Sequence, residues 1–293
     1  MVMGFLRTTQ NTSGSQIPCG KIREKNNRTG SLIGTREEEV NPFFRRQKMD
    51  KVKRASELIR KAGNIVVLTG AGMSTESGLK DFRSRDGLSS RTYEGYYPEQ
   101  ILSRDFFFAQ TDLFYSYIKE KLNVTGISPN KGHLILADWE KHRNLKIITQ
   151  NIDSLHQKAG SKNVLEIHGT LSTCQCTKCK AVKPLGDILE DGYRCFCGGV
   201  YKPDVVLYDE EVSRIMEACT LAEQGDLLLV LGTSLKVYPA ASIPEVYGID
   251  HKDAIIINRD ETPYAHDFHA LEINEGIGDT LEKIDHLLMK TGK

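Results

Sequence analysis

The sequence predicts an α/β fold: a parallel sheet with helices on both faces, interrupted by a small metal-binding module. Three observations carry this. Short continuous apolar runs recur, among them Ile65-Val66-Val67-Leu68 and Leu227-Leu228-Leu229-Val230-Leu231. Runs of that kind suit strands buried on both faces, which are parallel. Helical periodicity fills the intervals between them, the alternation of an α/β sheet. Five of the seven cysteines fall between Cys174 and Cys197, a cluster such a sheet does not need.

Residues 1–48 are rich in Asn, Thr, Ser, Gly and Arg, show no periodicity, and are expected to be a disordered extension. They hold nine Lys/Arg and four Asp/Glu, in a chain whose formal net charge is zero. A targeting segment is one reading. A solvated tail, or a start codon placed upstream, is favoured because Met49 opens a helical pattern at once. Zero net charge gives no global electrostatic case for a nucleic-acid or membrane partner. No apolar run reaches the ~18 residues of a membrane span, and Met1–Leu6 is too short for a secretory signal. Close cysteines without such a signal read as metal ligands in a reducing, cytoplasmic setting and not as disulfides.

From Met49 to the end, residues 49–293, one globular domain is expected. Lys51–Lys61 is a helix with Val52, Ala55, Leu58, Ile59 and Ala62 on one face. Ile65–Leu68 is the first strand and ends at Gly70. Helices follow at Leu113–Leu122 and His133–Lys141. Leu145–Ile148 and Val164–Ile167 are the second and third strands, Asp226–Leu231 the fourth and Ala254–Ile257 the fifth. Leu281–Met289 closes as a helix. The cysteine module, about 172–200, interrupts this alternation.

The turn Gly70-Ala71-Gly72 follows a strand, where backbone N–H groups and a helix N-terminus can meet phosphates. The dehydrogenase fingerprint is incomplete, since its third glycine falls at Thr75. A tight strand-to-helix turn explains the two glycines equally. Thr149-Gln150-Asn151-Ile152-Asp153 ends the second strand, where open α/β sheets bind ligands, although Asn and Asp are also ordinary turn residues. His168 ends the third strand. An imidazole there is either structural or a general base suited to neutral pH. His133, His142, His156, His251, His266 and His269 are read as structural or surface groups. Cys176-x-x-Cys179 and Cys195-x-Cys197 offer four thiolates for a closed, structural Zn²⁺ site. The second pair is one residue short of a knuckle, and Cys174 is an alternative ligand.

Longer phrases resemble the sirtuin family of NAD-dependent protein deacylases. They are Gly70-Ala71-Gly72-Met73-Ser74-Thr75-Glu76-Ser77-Gly78 running to Asp81-Phe82-Arg83-Ser84; Thr149 to His156; Glu166-Ile167-His168-Gly169; Lys202 to Glu210; and Leu231 to Ala241 with Ile257-Asn258-Arg259. The likeness spans about residues 50–288, in family order. It implies a large Rossmann-like domain, a small zinc module plus helical insertion, and an active site between them.

The resemblance also implies roles. Gly70, Ala71, Gly72 and Thr75 would follow the NAD phosphates and ribose, Phe82 would cover the reacting ribose, and Arg83 would fix the loop near the phosphates. Gln150 would contact ribose, while Asn151, Ile152 and Asp153 form the carboxamide pocket. Gly232, Thr233 and Ser234 would face phosphate or ribose, Asn258 the adenosine ribose, and Ile277 adenine. Val205, Val206 and Leu207 would receive an acyl-lysine protein substrate by strand addition. The acyl oxygen attacks C1′ as nicotinamide leaves, and His168 then helps deprotonate a ribose hydroxyl. Free lysine, nicotinamide and O-acyl-ADP-ribose result.

Three departures stand out: Ser154 and Asp209 where glycine is usual, and Leu207 for Phe. No Tyr lies between Arg83 and Tyr93, which favours small neutral acyl groups. Transfer of ADP-ribose to protein, NAD hydrolysis, or NAD sensing without turnover are the rival readings. The intact Asn151, Asp153 and His168 set favours deacylation.

Overall fold

The parallel sheet grows outward from a central strand. In the computed structural model, which describes residues 42–82, 87–264 and 269–290, with side chains from Arg46 onward, that strand is β1 (Asn64–Thr69), buried from Ile65 to its end. It pairs in parallel with β2 (Asn144–Thr149) on one side and β7 (Leu227–Leu231) on the other. β3 (Val164–Glu166), β8 (Ala254–Ile257) and β9 (Ala270–Ile273) complete the order β3-β2-β1-β7-β8-β9. The chain moves from β1 through β2 to β3, then resumes at β7 on the opposite side of β1. Strand order therefore reverses between β1 and β7, and a crevice opens there at the carboxyl ends, the usual ligand site of such sheets.

Residues from Arg45 onward form one compact unit. Alternate strand side chains feed two cores. One joins Ile65, Val67, Ile147 and Leu229 to α1 (Pro42–Lys61), α5 (Lys131–His142) and α10 (Ile277–Lys290) through Ala55, Ile59, Leu136, Leu281 and Ile284. Trp139 lies in this core and donates its Nε1–H to Asp285 Oδ1 at 2.8 Å. The other joins Val66, Leu68, Leu228 and Val230 to α8 (Ile215–Glu223) and α9 (Ile243–Tyr247). Both faces are covered, as the continuous apolar runs require.

A third core belongs to the small region. α2 (Pro98–Ile101), α3 (Arg104–Ala109) and α4 (Thr111–Tyr117) supply Ile101, Phe107, Phe114 and Tyr115. These pack on an antiparallel sheet of order β5-β4-β6, built from β4 (Gly169–Cys176), β5 (Val182–Pro184) and β6 (Tyr201–Val205). α6 (Leu155–Ala159) joins β2 to β3, and α7 (Leu185–Asp191) follows β5. Tyr115 stacks on Tyr193 with ring centroids 5.1 Å apart and donates its hydroxyl to the Tyr201 carbonyl at 2.6 Å. The helical insertion and the cysteine module thus share one apolar interior.

Some expectations move. The first helix starts at Pro42, ahead of Met49, whereas residues 1–41 lie outside the described residues. The small sheet runs over 169–205, wider than the 172–200 expected. β9 was not foreseen, because Glu272 interrupts its apolar pattern. That carboxylate is buried and satisfied, accepting from Thr262 N–H at 2.9 Å and from the Thr262 hydroxyl at 3.0 Å.

Candidate active site

The turns after β1 and β7 meet across the crevice. Gly70 N–H donates to Leu231 O at 3.0 Å, and Gly72 N–H to Gly232 O at 2.8 Å. A Cβ on Gly72 would stand 2.8 Å from the Gly232 backbone, and one on Gly232 would stand 2.3 Å from Met73 N. Gly232 also has φ +62, a left-handed conformation that suits glycine. These two glycine N–H groups therefore join one turn to the other, so the glycines serve loop-to-loop approach before any phosphate. Thr75 hydroxyl donates to Gly72 O at 2.9 Å, closing the same turn.

Buried hydrogen bonds tie the segment after β2 to this turn. Asn151 Nδ2 donates to Gly70 O at 3.0 Å and to Ser74 Oγ at 3.1 Å. Ser74 in turn donates to Asp153 Oδ2 at 2.7 Å, and Asp153 Oδ1 accepts Leu155 N–H at 2.9 Å. Asn151 and Asp153 are each 8% exposed and Ser74 is 2% exposed. Burying a carboxyl group is costly unless its oxygens are hydrogen-bonded, and here both accept. Ile152 O accepts Leu171 N–H at 2.9 Å, fastening the segment to β4. Gln150 is half-buried and donates to Thr233 Oγ1 at 3.1 Å.

Ser154 lies at φ 56, ψ 23, which explains why glycine suits the position. Its hydroxyl meets Thr170 Oγ1 at 2.8 Å and Ser172 Oγ at 2.9 Å, bonds that offset the left-handed backbone. Asp209 is likewise left-handed, at φ 71.

His168 is oriented from several sides. Its Nδ1 lies 2.9 Å from Gln150 O. A carbonyl only accepts, so Nδ1 carries the proton and Nε2 is bare in the neutral ring. Val206 N–H holds the His168 carbonyl at 2.9 Å. Gly169 follows at φ +76, and a Cβ there would stand 2.0 Å from Asp204 O. Burial lowers the His168 pKa, opposed in part by the bond to Gln150. A half-buried, neutral imidazole with a bare nitrogen can accept a proton from a bound hydroxyl.

Val205 and Leu207 are buried and Val206 is half-buried. β6 pairs only with β4 within its sheet, so it forms an edge. A cavity of about 360 Å³ borders Ile167, Gly169 and Val206 on either side of His168 in sequence, without reaching Asn151 or Asp153. Ser234 and Asn258 are half-buried beyond β7 and β8, whereas Ile277 is 6% exposed in the core at the start of α10. Phe82 is half-buried. Arg83 lies outside the described residues, as do residues 84–86 of the stretch that bears on acyl preference.

The Sγ atoms of Cys176, Cys179, Cys195 and Cys197 all lie within 4.8 Å of one another. Two pairs stand at 3.5 and 3.7 Å. Zn–S bonds of about 2.3 Å in a tetrahedron put sulfurs about 3.8 Å apart, so the donor set fits Zn²⁺. Cys174 is not part of it. It is fully buried in the third core, beside Tyr115, which closes the alternative of Cys174 as a ligand.

Sequence reasoning missed Ser74, Thr69, Thr149 and His156. Each is a small polar or imidazole group just after a predicted strand or in the turn beyond it, and only contacts about eighty residues away reveal its use.

The model of the Sir2 family matches residues 70–239. The NAD-dependent protein deacetylase of Fusobacterium nucleatum is 44% identical over 219 residues, 73% of this chain and 84% of the relative. That of Sulfolobus acidocaldarius is 40% identical over 224 residues, 74% and 87% of the two chains. A solved Sir2 complex with a deacetylated p53 peptide and 3′-O-acetyl ADP-ribose has TM-score 0.74 at 30% identity, covering 82% of this chain and 98% of that one. A Sir2–p53 peptide–NAD⁺ complex has TM-score 0.71 at 32% identity, covering 80% and 97%.

Proposed function

The chain belongs to the Sir2 family, and from that premise we infer its activity and assign its residues. It is an NAD-dependent protein-lysine deacetylase that releases nicotinamide and O-acyl-ADP-ribose. The observation that supports this best is the buried Gly70–Ser74–Asn151–Asp153 array at the strand-order reversal, with His168 at the end of the neighbouring strand.

The residues at the carboxyl edge of the sheet would hold NAD, which would supply the C1′ electrophile and the ribose acceptor. Ala71, Thr75, Gln150, Ser234 and Asn258 line its path, and Phe82 screens the ribose from water. Asn151 and Asp153 bind the nicotinamide end and are fixed before it arrives. Pre-organisation of this kind lowers the barrier, because no reorientation is needed during reaction. His168 Nε2 takes the ribose proton while Gln150 O retains the Nδ1 proton.

An acetylated segment adds along β6, with its acyl-lysine between Val205 and Val206. Small neutral acyl groups are preferred, on the sequence ground that no Tyr lies between Arg83 and Tyr93. The thiolates of Cys176, Cys179, Cys195 and Cys197 would hold Zn²⁺ as a structural ion, their four donors leaving no position for chemistry. Clustered reduced thiols suit a reducing compartment, and the cytoplasm is the location proposed. Among the described residues no helix is long and apolar enough to cross a membrane.

Mass spectrometry of products from NAD and an acetyl-lysine peptide tests the reading. O-acetyl-ADP-ribose and free lysine peptide are expected, and both should disappear in His168→Ala. Free ADP-ribose, or protein heavier by one ADP-ribose, would reassign the chain to hydrolysis or transfer. Faster turnover of succinyl-lysine than of acetyl-lysine would overturn the acyl preference.

A further inference from the structure

Two buried histidines lie behind the Asn151 segment. His133, on α5, is 0% exposed, and His156, on α6, is 1% exposed. Their rings stand 4.8 Å apart between centroids. His133 Nε2 and His156 Nδ1 are both buried and make no hydrogen bond. Neither ring is an ordinary core filler, because each spends its other nitrogen on a defined partner.

Those partners fix the direction of a chain of bonds. Asn130 N–H donates to His133 Nδ1 at 3.3 Å. A backbone amide only donates, so His133 is protonated at Nε2. Thr69 spends its own hydroxyl hydrogen on Thr149 Oγ1, so it can only accept from the His156 nitrogen that faces it. His156 is then protonated at Nε2, which lies 3.1 Å from Thr69 Oγ1. Thr69 accepts that proton's bond and donates its own hydroxyl to Thr149 Oγ1 at 2.8 Å. Thr149 Oγ1 also accepts Asn151 N–H at 3.0 Å. Asn130 itself donates Nδ2–H to Met73 O at 2.7 Å, in the turn that carries Ser74.

We propose that His156 is a positioning residue that donates to Thr69, holds the Thr69–Thr149 hydroxyl pair in one direction and thereby fixes the Asn151 backbone for nicotinamide cleavage. The proposal rests on the deacetylase reading above. Burial lowers the His133 pKa to about 4 and the His156 pKa to about 3, so both rings stay neutral where the enzyme works. The charged groups of the surrounding elements do not reach them: Asp153 is bound to Ser74 and Leu155 N–H, and Lys131 to Asp279 and Glu282. His156 thus acts through hydrogen-bond direction, not through charge.

Two measurements on the full chain test this. Long-range ¹⁵N–¹H spectra of the NAD-free protein should show His133 and His156 as neutral Nε2–H tautomers that do not titrate between about pH 5 and 8. A neutral-range titration of His156, or an Nδ1–H tautomer, overturns the proposal whatever the enzyme's substrate. In the second, His156→Phe keeps the ring and removes the donor, and kcat for nicotinamide release should fall about tenfold with KM for NAD within about twofold, the loss of one oriented bond. His156→Gln, which can return an N–H, should recover most of that loss. Thr69→Val should lose about as much as His156→Phe, and the double variant no more than either alone. Additive losses, equal impairment by Gln and Phe, or a KM change without a kcat change would overturn it. Should His156→Phe fail to fold, the spectra and Thr69→Val decide. Wild-type protein without deacetylation would sink the functional reading and leave the tautomer result standing.

Discussion

The large sheet and the small one hold their functional groups by opposite means. Around β1, β2 and β7, polar groups are buried and bonded to one another: Ser74, Asn151 and Asp153 are each at most 8% exposed. In the small sheet the four thiols run from interior to surface: Cys176 is buried, Cys195 and Cys197 are half-buried, Cys179 is exposed, and Phe196 between Cys195 and Cys197 is fully exposed. The first region is ordered by folding alone. The second joins short strands, of three residues in β5 and five in β6, at an end where four thiolates gather. Its order comes from an ion on one side and a shared apolar interior on the other.

The sharpest way to break this contrast is to remove the ion. Chelation, or Cys179→Ala, should abolish activity and unfold the cysteine end of β4–β6 while the parallel sheet persists. Structural zinc contributes about 10–16 kcal/mol in small modules. Hydrogen exchange by segment would show it, and equal loss of protection in β1 and β7 would erase the distinction between the two regions. Next comes Gly232→Ala, which puts a methyl group against Met73 N in a left-handed turn. A fall of about 2–3 kcal/mol in chemical denaturation is expected, and a neutral effect would mean that the two turns do not interlock.

Acid comes third. His133 and His156 have folded pKa values of about 4 and about 3, below the ordinary 6.5. The unfolded chain therefore binds protons first as pH drops. Stability should be full above about pH 6.5 and decline toward pH 4, by about 3 kcal/mol per ring. Denaturation at stepped pH measures it, and the decline should shrink in His156→Phe. Smallest is Ser154→Gly. Relief of the left-handed backbone, about 1 kcal/mol, and loss of the bonds to Thr170 and Ser172 should nearly cancel, leaving stability within about 0.5 kcal/mol. A larger loss would make Ser154 a true tie between the Asn151 segment and β4.

What could be read beforehand follows the same division. The expected strands were legible by their apolar runs, most plainly where burial on both faces leaves nothing but apolar residues, as in Leu227–Leu231 and Ala254–Ile257. β9 was not, since Glu272 is buried through partners ten residues away. The zinc donors were legible by spacing, but Cys174 was excluded only by its place beside Tyr115. Gly70 and Gly72 were marked for phosphate, yet their N–H groups are spent on β7's turn, a contact some 160 residues distant. Ser74 and His156 carry no local signal; each has meaning only across the sheet.

The placement of aromatic side chains gives the molecule two separate optical windows. Its single tryptophan, Trp139, sits in the core under the parallel sheet, held by Asp285. The stacked Tyr115 and Tyr193, with Tyr117 and Tyr201, belong to the small region. Indole emission therefore follows the parallel sheet, while near-ultraviolet tyrosine dichroism is weighted toward the cysteine module and the helices packed on it. One unlabelled sample, watched in both colours during unfolding, will show whether the two regions part company or melt together.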